Sequence, residues 1–550
     1  MEHSLLHAIA LWGLILVTSG PLLVLGLLEP AMKSAGRPLP EGPDFARAMR
    51  QSAARWVVCG AAVTALATLL DLFVQVAEGR GQTVFVGMPL SEVFRFATRT
   101  HVGQFSLARA GVLLVIAAIA WRHPARRGSW WAIGILAVTA IILTALVSHA
   151  AAQPFNRRTA ILVQIMHLCA VSVWLGVLFH LLALRGQIQR ATDRYNLAVL
   201  AKIVRRFSPV ALVAVSSLLL SGVIAACRFV GGPDALFTSA YGLTLLVKLT
   251  LLIPAFFAGL VNHWIIRPGL LSLRDSHNEI PKGPILQRFG RMLELEVTAG
   301  LLVLAVAGIL ASVSPPGGNQ SLKLTEPQQR ALTSPRVPAM DIPNPAGFYG
   351  APTRTLADLH YAEFTHHCSG LMVCLLGLCW LAQGAGGRTG LWSGRIWPWL
   401  LVPFAAFIAV ASDPEIWWLR RVSLWRALGD PQLFEHQLGA GMILLLAWLG
   451  WRDGRRPDFW RPLGYTLPVI MMLGSLLLLG HAHSTLAADV PLTRLINVQH
   501  AVFGAFGLFA GAVRWLSLRG LFPQPAARWI WPALVLGLGL FMTFCYREAV

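Results

Sequence analysis

Two histidines flank a short polar break between apolar runs. His149 lies in Ser148-His149-Ala150 at the end of one run, and His167 lies about two turns into the next. The break, Gln153 to Thr159, is short enough to leave both imidazoles at one membrane face. An imidazole inside a hydrocarbon-length helix is costly unless it has a partner or a task. Neutral imidazole is also the commonest side-chain ligand of transition metals, and suits Cu, Zn or haem iron. Met166 and Cys169 place soft sulfur beside His167, which tilts the chemistry toward Cu(I) over Cu(II). Each signal has a plainer reading. A single intramembrane histidine also serves as a hydrogen-bonding residue between helices, and Met166 and Cys169 also serve as packing filler.

The elements that must position these residues are membrane spans. The chain is 56% hydrophobic and only 13% charged, outside the soluble range. No alternating strand pattern appears, so the expectation is an all-α polytopic transmembrane bundle of about 14 spans. Spans are expected near 5–28, 53–77, 104–121, 130–149, 159–184, 207–229, 241–266 and 291–313, then 362–382, 396–411, 434–451, 464–482, 493–516 and 527–545. A Pro- and Gly-rich stretch separates the two sets and reads as a solvated linker. The domains are thus 1–316 with eight spans, a linker at 317–358, and 359–550 with six spans. Seven cysteines without a CxxC argue against a disulfide framework or zinc knuckle, although Cys227 and Cys368 both fall toward the outer face. The opening segment, Met1 to Ser19, lacks a basic leader and cleavage site and reads as the first span.

Charge sets the orientation. Loops after spans 1, 3, 5 and 7 hold about nineteen Lys and Arg, against about six after spans 2, 4 and 6. This bias puts both termini and the linker outside, and it accounts for the net charge of +20 without nucleic acid. Trp417-Trp418 reads as an interfacial segment.

With that topology most histidines crowd one side. His3, His7, His101, His149, His167, His360, His366, His367, His436, His481, His483 and His500 fall at outer ends; His123, His180, His263 and His277 fall inside. Structural need alone does not dictate such an asymmetry. The candidate metal ligands are His149, His167, Met166, His7, His101, His366, His367, His436, His481, His483 and His500. A haem b redox protein is the alternative, because His366 or His367, His436, His481 and His500 stand on four helices at similar depth. Glu363-x-x-His366 has the spacing of a di-iron helix, but no second copy is present. Lys248, Asp71, Glu294 and Glu296 are further polar residues at membrane depth, read first as structural pairs and second as part of a conduction path.

The first 316 positions resemble the copper resistance D (CopD) family. The carrying residues are Ser148-His149-Ala150-Ala151, His167 through Trp174-Leu175-Gly176, Arg206-Phe207-Ser208, Ser221-Gly222, Tyr241-Gly242 with Lys248, Asn262, and Gly308 through Pro315-Pro316. His263 departs from the pattern, since the family more often has a basic residue there. The second half is similar to a membrane extension of some longer members, through Ser412-Asp413-Pro414-Glu415, Asp430-Pro431, Glu435-His436-Gln437, His481-Ala482-His483-Ser484, and His500 ahead of Gly511 to Trp515. The resemblance implies a multi-pass protein of the bacterial inner membrane with a periplasmic outer side. It also implies copper as cargo and a CopC-like periplasmic copper-binding partner. That points to a transporter rather than an enzyme. No Walker A motif or phosphorylated-Asp signature is present, so transport would be passive, driven by a gradient or coupled to a partner.

Overall fold

The computed structural model describes residues 2–35, 45–80, 82, 89–148, 150–152, 156–190, 194–275, 283–317, 319, 322–338, 340–341, 343, 355–412, 414–455, 464–480 and 490–548. Among these residues the chain is helical, with no strand. Thirteen helices are long and apolar enough to cross a bilayer, and a fourteenth is shorter. In chain order they are α1 Glu2–Ser34, α2 Phe45–Glu78, α3 His101–Arg122, α4 Arg127–Leu146, α5 Arg157–Ala183, α6 Arg194–Phe229, α7 Ala240–Ser272 and α8 Gly283–Leu310. The second set is α9 Leu356–Ala385, α10 Gly387–Ala411, α11 Pro431–Arg455, α12 Thr466–Gly480, α13 Val490–Leu518 and α14 Gln524–Phe544.

Close approach of backbones organises the packing, because lipid gives helices no hydrophobic reason to associate and small residues let them touch. A Cβ on Gly13 of α1 would lie 2.6 Å from the Gly60 carbonyl oxygen of α2, and one on Gly60 would lie 2.7 Å from that of Gly13. In α9, Gly370, Gly377 and Gly384 recur every seventh position and face Thr543, Leu536 and Arg528 of α14, a period that keeps one seam toward one partner.

Hydrogen bonds fix which ends share a face. His3 at the start of α1 reaches Asp71 near the end of α2, and Ser4 bonds Ser312 just past α8. Gln499 of α13 exchanges two hydrogen bonds with Arg547 beyond α14. The N-terminal start and the last described residues therefore lie at one end of the bundle.

The halves are joined. Met472 and Leu479 of α12, with Ala501, Leu508 and Ala512 of α13, belong to the same buried core as α1, α5 and α8. A second core, with Val373, Trp380, Phe404 and Trp531, lies within the six-helix half. At the opposite end Glu294 of α8 is bonded by Arg185 and by Arg519 just past α13.

The linker differs from the solvated chain that its composition suggests. Leu324 N–H donates to Thr238 O at 2.7 Å, Lys323 pairs with Asp234 at 2.9 Å, and Arg494 donates to Lys323 O at 2.7 Å. Farther along, Arg336 N–H donates to Phe544 O, and its guanidinium reaches Glu363 at 2.5 Å. A short helix between them, Glu326–Thr333, starts with a Thr325/Gln328 capping box. Charges and backbone groups hold this segment down together with a small apolar contact, in which Leu324 is buried beside Leu495 and Val498 and Leu332 packs against them, too few residues to stand out in hydropathy. Beyond α10, Trp417 and Trp418 are exposed and donate their indole N–H to the Ala409 and Val410 carbonyls.

Candidate metal site

His167 is held on α5 by α6. Its Nδ1 lies 2.9 Å from Ser221 Oγ. The Ser221 hydroxyl donates to Ser217 O at 2.6 Å, so its oxygen accepts from His167 Nδ1–H. The ring's lone pair then sits on Nε2, the tautomer that a metal ligand needs. The small neighbour Gly222 keeps a would-be Cβ 3.9 Å from the imidazole edge. Lys248 of α7 lies within electrostatic reach of the ring. Its ammonium opposes any cation bound there.

Below this level α5 becomes π-helical at Ser172–Gly176, where Trp174 is buried and faces Phe256 of α7 at 6.2 Å. Among the described residues two other π-helical segments occur, Leu22–Leu28 in α1 and Asn262–Ile266 in α7. These three described segments lie in the eight-helix half. Such interruptions recur at functional sites because they loosen the regular hydrogen-bond ladder. Glu296 of α8 accepts from Asn262 Nδ2 at 2.7 Å at the third of them.

The other expected ligands are distributed as follows. His149, His481 and His483 lie outside the described residues. Met166 is partly exposed next to His167, and Cys169 packs at the edge of the main core. His7 stacks obliquely near His3 at 6.0 Å, and His101 is exposed beside Phe105. His436 is half-buried at the start of α11. His367 is fully buried and its Nε2 lies 3.3 Å from Tyr546 O. His366 and His500 meet with ring centroids 5.5 Å apart. Among the described residues no three His, Cys, Asp or Glu converge on a point that would hold a metal ion. Glu363, the acidic member of the di-iron spacing, is engaged by Arg336 and by the Glu548 N–H. All seven cysteines are free thiols.

One residue that hydropathy reading passes over is Arg109 in α3. It is 6% exposed, its Nη1 lies 3.4 Å from Thr144 Oγ1, and its Nε has no partner among the described residues. Asp71 attracts it electrostatically, and the Asp71 carboxylate also accepts from His3 and from Gln75 at 2.6 Å each. A lone arginine within the apolar run of α3 was the available signal.

Two family profiles match the chain in the order of these elements. Residues 4–154 match the Copper resistance protein D-like, N-terminal domain, and residues 201–310 match Copper resistance protein D. The eight-helix half matches the copper resistance D family. Over 205 residues the chain is 31% identical to the Copper transport protein CutJ of Bacillus subtilis (strain 168), an alignment covering 37% of this chain. The alignment spans 34% of that protein, about a third of its length. No solved structure matches the chain. The copper resistance D match takes in His7, His101 and His149 in its first part, and Ser221, Lys248, Asn262 and Glu296 in its second. His167 falls between the two.

Proposed function

We propose that this chain is a copper transporter of the bacterial inner membrane, with its histidine-rich end facing the periplasm. Cu(I) enters from that side, is bound by His149 and His167, and has Met166 as a soft donor. Low-coordinate Cu(I) accepts two or three soft or imidazole ligands, so no larger cluster is required. The observation that carries the reading is His167 itself. Its Nδ1 is anchored on Ser221 and its Nε2 lone pair is available, within a half that matches a copper family. Lys248 tunes the site. A permeating ion must bind well enough to enter and weakly enough to leave, and a nearby ammonium lowers the affinity of a cation. Net movement is inward and contributes to copper homeostasis or resistance. A CopC-like periplasmic protein is the expected donor.

The test is whole-cell copper content with and without the protein, together with Cu(I) binding by the purified protein. Wild type raises cellular copper, and the His149→Ala/His167→Ala double variant does not. A double variant that accumulates copper and binds Cu(I) as wild type does removes the site assignment.

A further inference from the structure

Glu296 of α8 is 2% exposed, and the neighbour that bonds it is an amide rather than a cation: Asn262 Nδ2–H of α7 donates to its Oε2 at 2.7 Å. Three other carboxylates of the eight-helix half are compensated by basic groups. Asp71 meets His3, Glu29 pairs with Arg50 and Arg127, and Glu294, two positions before Glu296, is held by Arg185 and Arg519. No cation pairs with Glu296 among the described residues. A buried carboxylate without a counter-charge is costly. Within a membrane span such a residue marks an ion or proton path.

The amide beside it is matched to both forms of the carboxyl. Asn262 opens the π-helical turn Asn262–Ile266, and its own carbonyl accepts from Arg267 N–H. Its Oδ1 is buried with no hydrogen-bond partner among the described residues. A carboxylate only accepts, and Nδ2–H supplies the donor. A protonated carboxyl has one O–H to give, and the orphaned Oδ1 is the acceptor next to it. A half-turn of the amide about its terminal bond exchanges one for the other without moving the backbone. Gly259, one turn earlier on α7, leaves the carboxyl its place, since a Cβ there would lie 3.0 Å from Oε1.

The elements packed on α8 bring no competing charge to this point. α1 has no titratable residue between His7 and Glu29, and α12 has none. His180 of α5 bonds Leu16 O at 3.2 Å, and His263 of α7 bonds Ser208 Oγ at 2.7 Å. Arg267 lies beyond the π-helical turn, and Lys248 stands fourteen positions before Asn262, about 21 Å along the axis. Arg288 and Arg291 of α8 are exposed. Water is nearest on the Glu294 side, where Arg185 and Arg519 are partly exposed.

We propose that Glu296 and Asn262 form a proton-exchange site at the contact of α7 with α8, and that its proton is the coupling ion for copper movement. The site stands on geometry alone; the coupling rests on the transport reading. On uptake a proton from water joins one carboxylate oxygen, the carboxyl loses its negative charge, and Asn262 changes from donor to acceptor. Release to water reverses each change. A proton suits the place because it needs no coordination shell, only one oxygen to hold it and one to accept from it.

The full-length protein is reconstituted in lipid vesicles, and its infrared carboxyl C=O band is followed from about pH 4 to about pH 9, which covers ordinary and buried glutamates alike. Wild type is expected to show a protonated-carboxyl band that fades as pH rises and is missing from Glu296→Gln. In Asn262→Leu, whose side chain neither gives nor accepts a hydrogen bond, the band moves to higher frequency. A wild-type spectrum with no titrating band absent from Glu296→Gln overturns the proposal, and so does an unshifted band in Asn262→Leu. If Glu296→Gln fails to fold, Glu296→Asp, which keeps a shorter carboxyl, must move the band or its midpoint, and an unchanged band overturns the assignment. Coupling is read in the same vesicles, loaded with a pH-sensitive dye and given Cu(I) anaerobically. Copper entry through wild type moves protons, and Glu296→Gln loses that movement; an equal ratio of protons to copper in the two overturns the coupling. Wild type that moves no copper overturns the transport reading and the coupling with it, while the infrared titration still decides the site.

Discussion

Arg519 donates its Nε–H to Glu294, 225 positions earlier in the chain, and so joins the C-terminal end of α13 to the N-terminal half of α8. Glu294 is nearly buried and also accepts from Arg185, whereas Arg519 keeps about a third of its side chain exposed. Arg519→Ala leaves the carboxylate with one partner. The loss is intermediate between that of a surface pair and that of a fully buried one, roughly 1–3 kcal/mol. The melting temperature in detergent falls accordingly. Because α12 and α13 share the main core with α1, α5 and α8, separately expressed segments 1–316 and 359–550 copurify, and Arg519→Ala weakens that association. Segments that purify independently would show the shared core to be dispensable.

The α1–α2 crossing makes a sharper stability test. A Cβ on Gly13 would meet Thr64 Oγ1 at 2.2 Å and Gly60 O at 2.6 Å, and backbone cannot yield as a flexible side chain can. Gly13→Ala therefore costs at least the 1–3 kcal/mol typical of overpacking, about 2 kcal/mol or more. Gly111, on α3, has nothing within 4 Å of a would-be Cβ and serves as the control. Thermal melts of Gly13→Ala and Gly111→Ala should separate cleanly; equal melts would mean that the crossing relaxes at no cost.

Much of the fold was legible because a bilayer leaves few options. Every expected span corresponds to a helix, and the fourteenth is shorter than expected, with Thr466–Gly480 where 464–482 was read. Helix ends were less legible. α6 begins at Arg194 rather than near 207, because the basic residues Lys202, Arg205 and Arg206 continue the helix beyond the apolar stretch that marks the membrane. The π-helical turns at Leu22–Leu28, Ser172–Gly176 and Asn262–Ile266 leave no periodic trace in the sequence. Of the candidate site, depth could be read but direction could not. His366 and His367 are neighbours, yet successive helix positions point about 100° apart, so one meets His500 while the other bonds Tyr546 O. The stacking of Tyr546 on His366 left no sequence signal, because it depends on the turn after α14.

Outside the membrane the linker carries a pH-sensitive contact. Lys323 donates to Asp234, and this hydrogen bond holds the Asp234 carboxyl below its ordinary value. A carboxyl depressed in the folded state adds stability that is present above the ordinary value of 3.8 and is lost as pH falls through the lower folded value. Asp234 is exposed, so the effect is small and screened by salt. Melts of wild type and Asp234→Asn differ at neutral pH and converge in acid. A difference that grows as pH falls below that value would contradict the pair's assigned role.

Ser221 offers the most direct reading of the His167 site, because it bonds the imidazole itself. Its oxygen accepts from His167 Nδ1 at 2.9 Å while its own proton goes to Ser217 O. Ser221→Ala removes the acceptor, frees the ring to rotate, and lets the proton move to Nε2, where it blocks the lone pair. Partners of this kind are worth about 10–100-fold in metal affinity, whereas the lost hydrogen bond costs only about 1 kcal/mol of stability. Cu(I) competition titration of a Ser221→Ala variant that melts near wild type should show affinity at His167 reduced by about that 10–100-fold. Ser221→Thr, which keeps the hydroxyl, should restore most of it. If Ser221→Ala binds Cu(I) unchanged, His167 Nε2 is not the ligand atom, and the serine only packs α6 against α5.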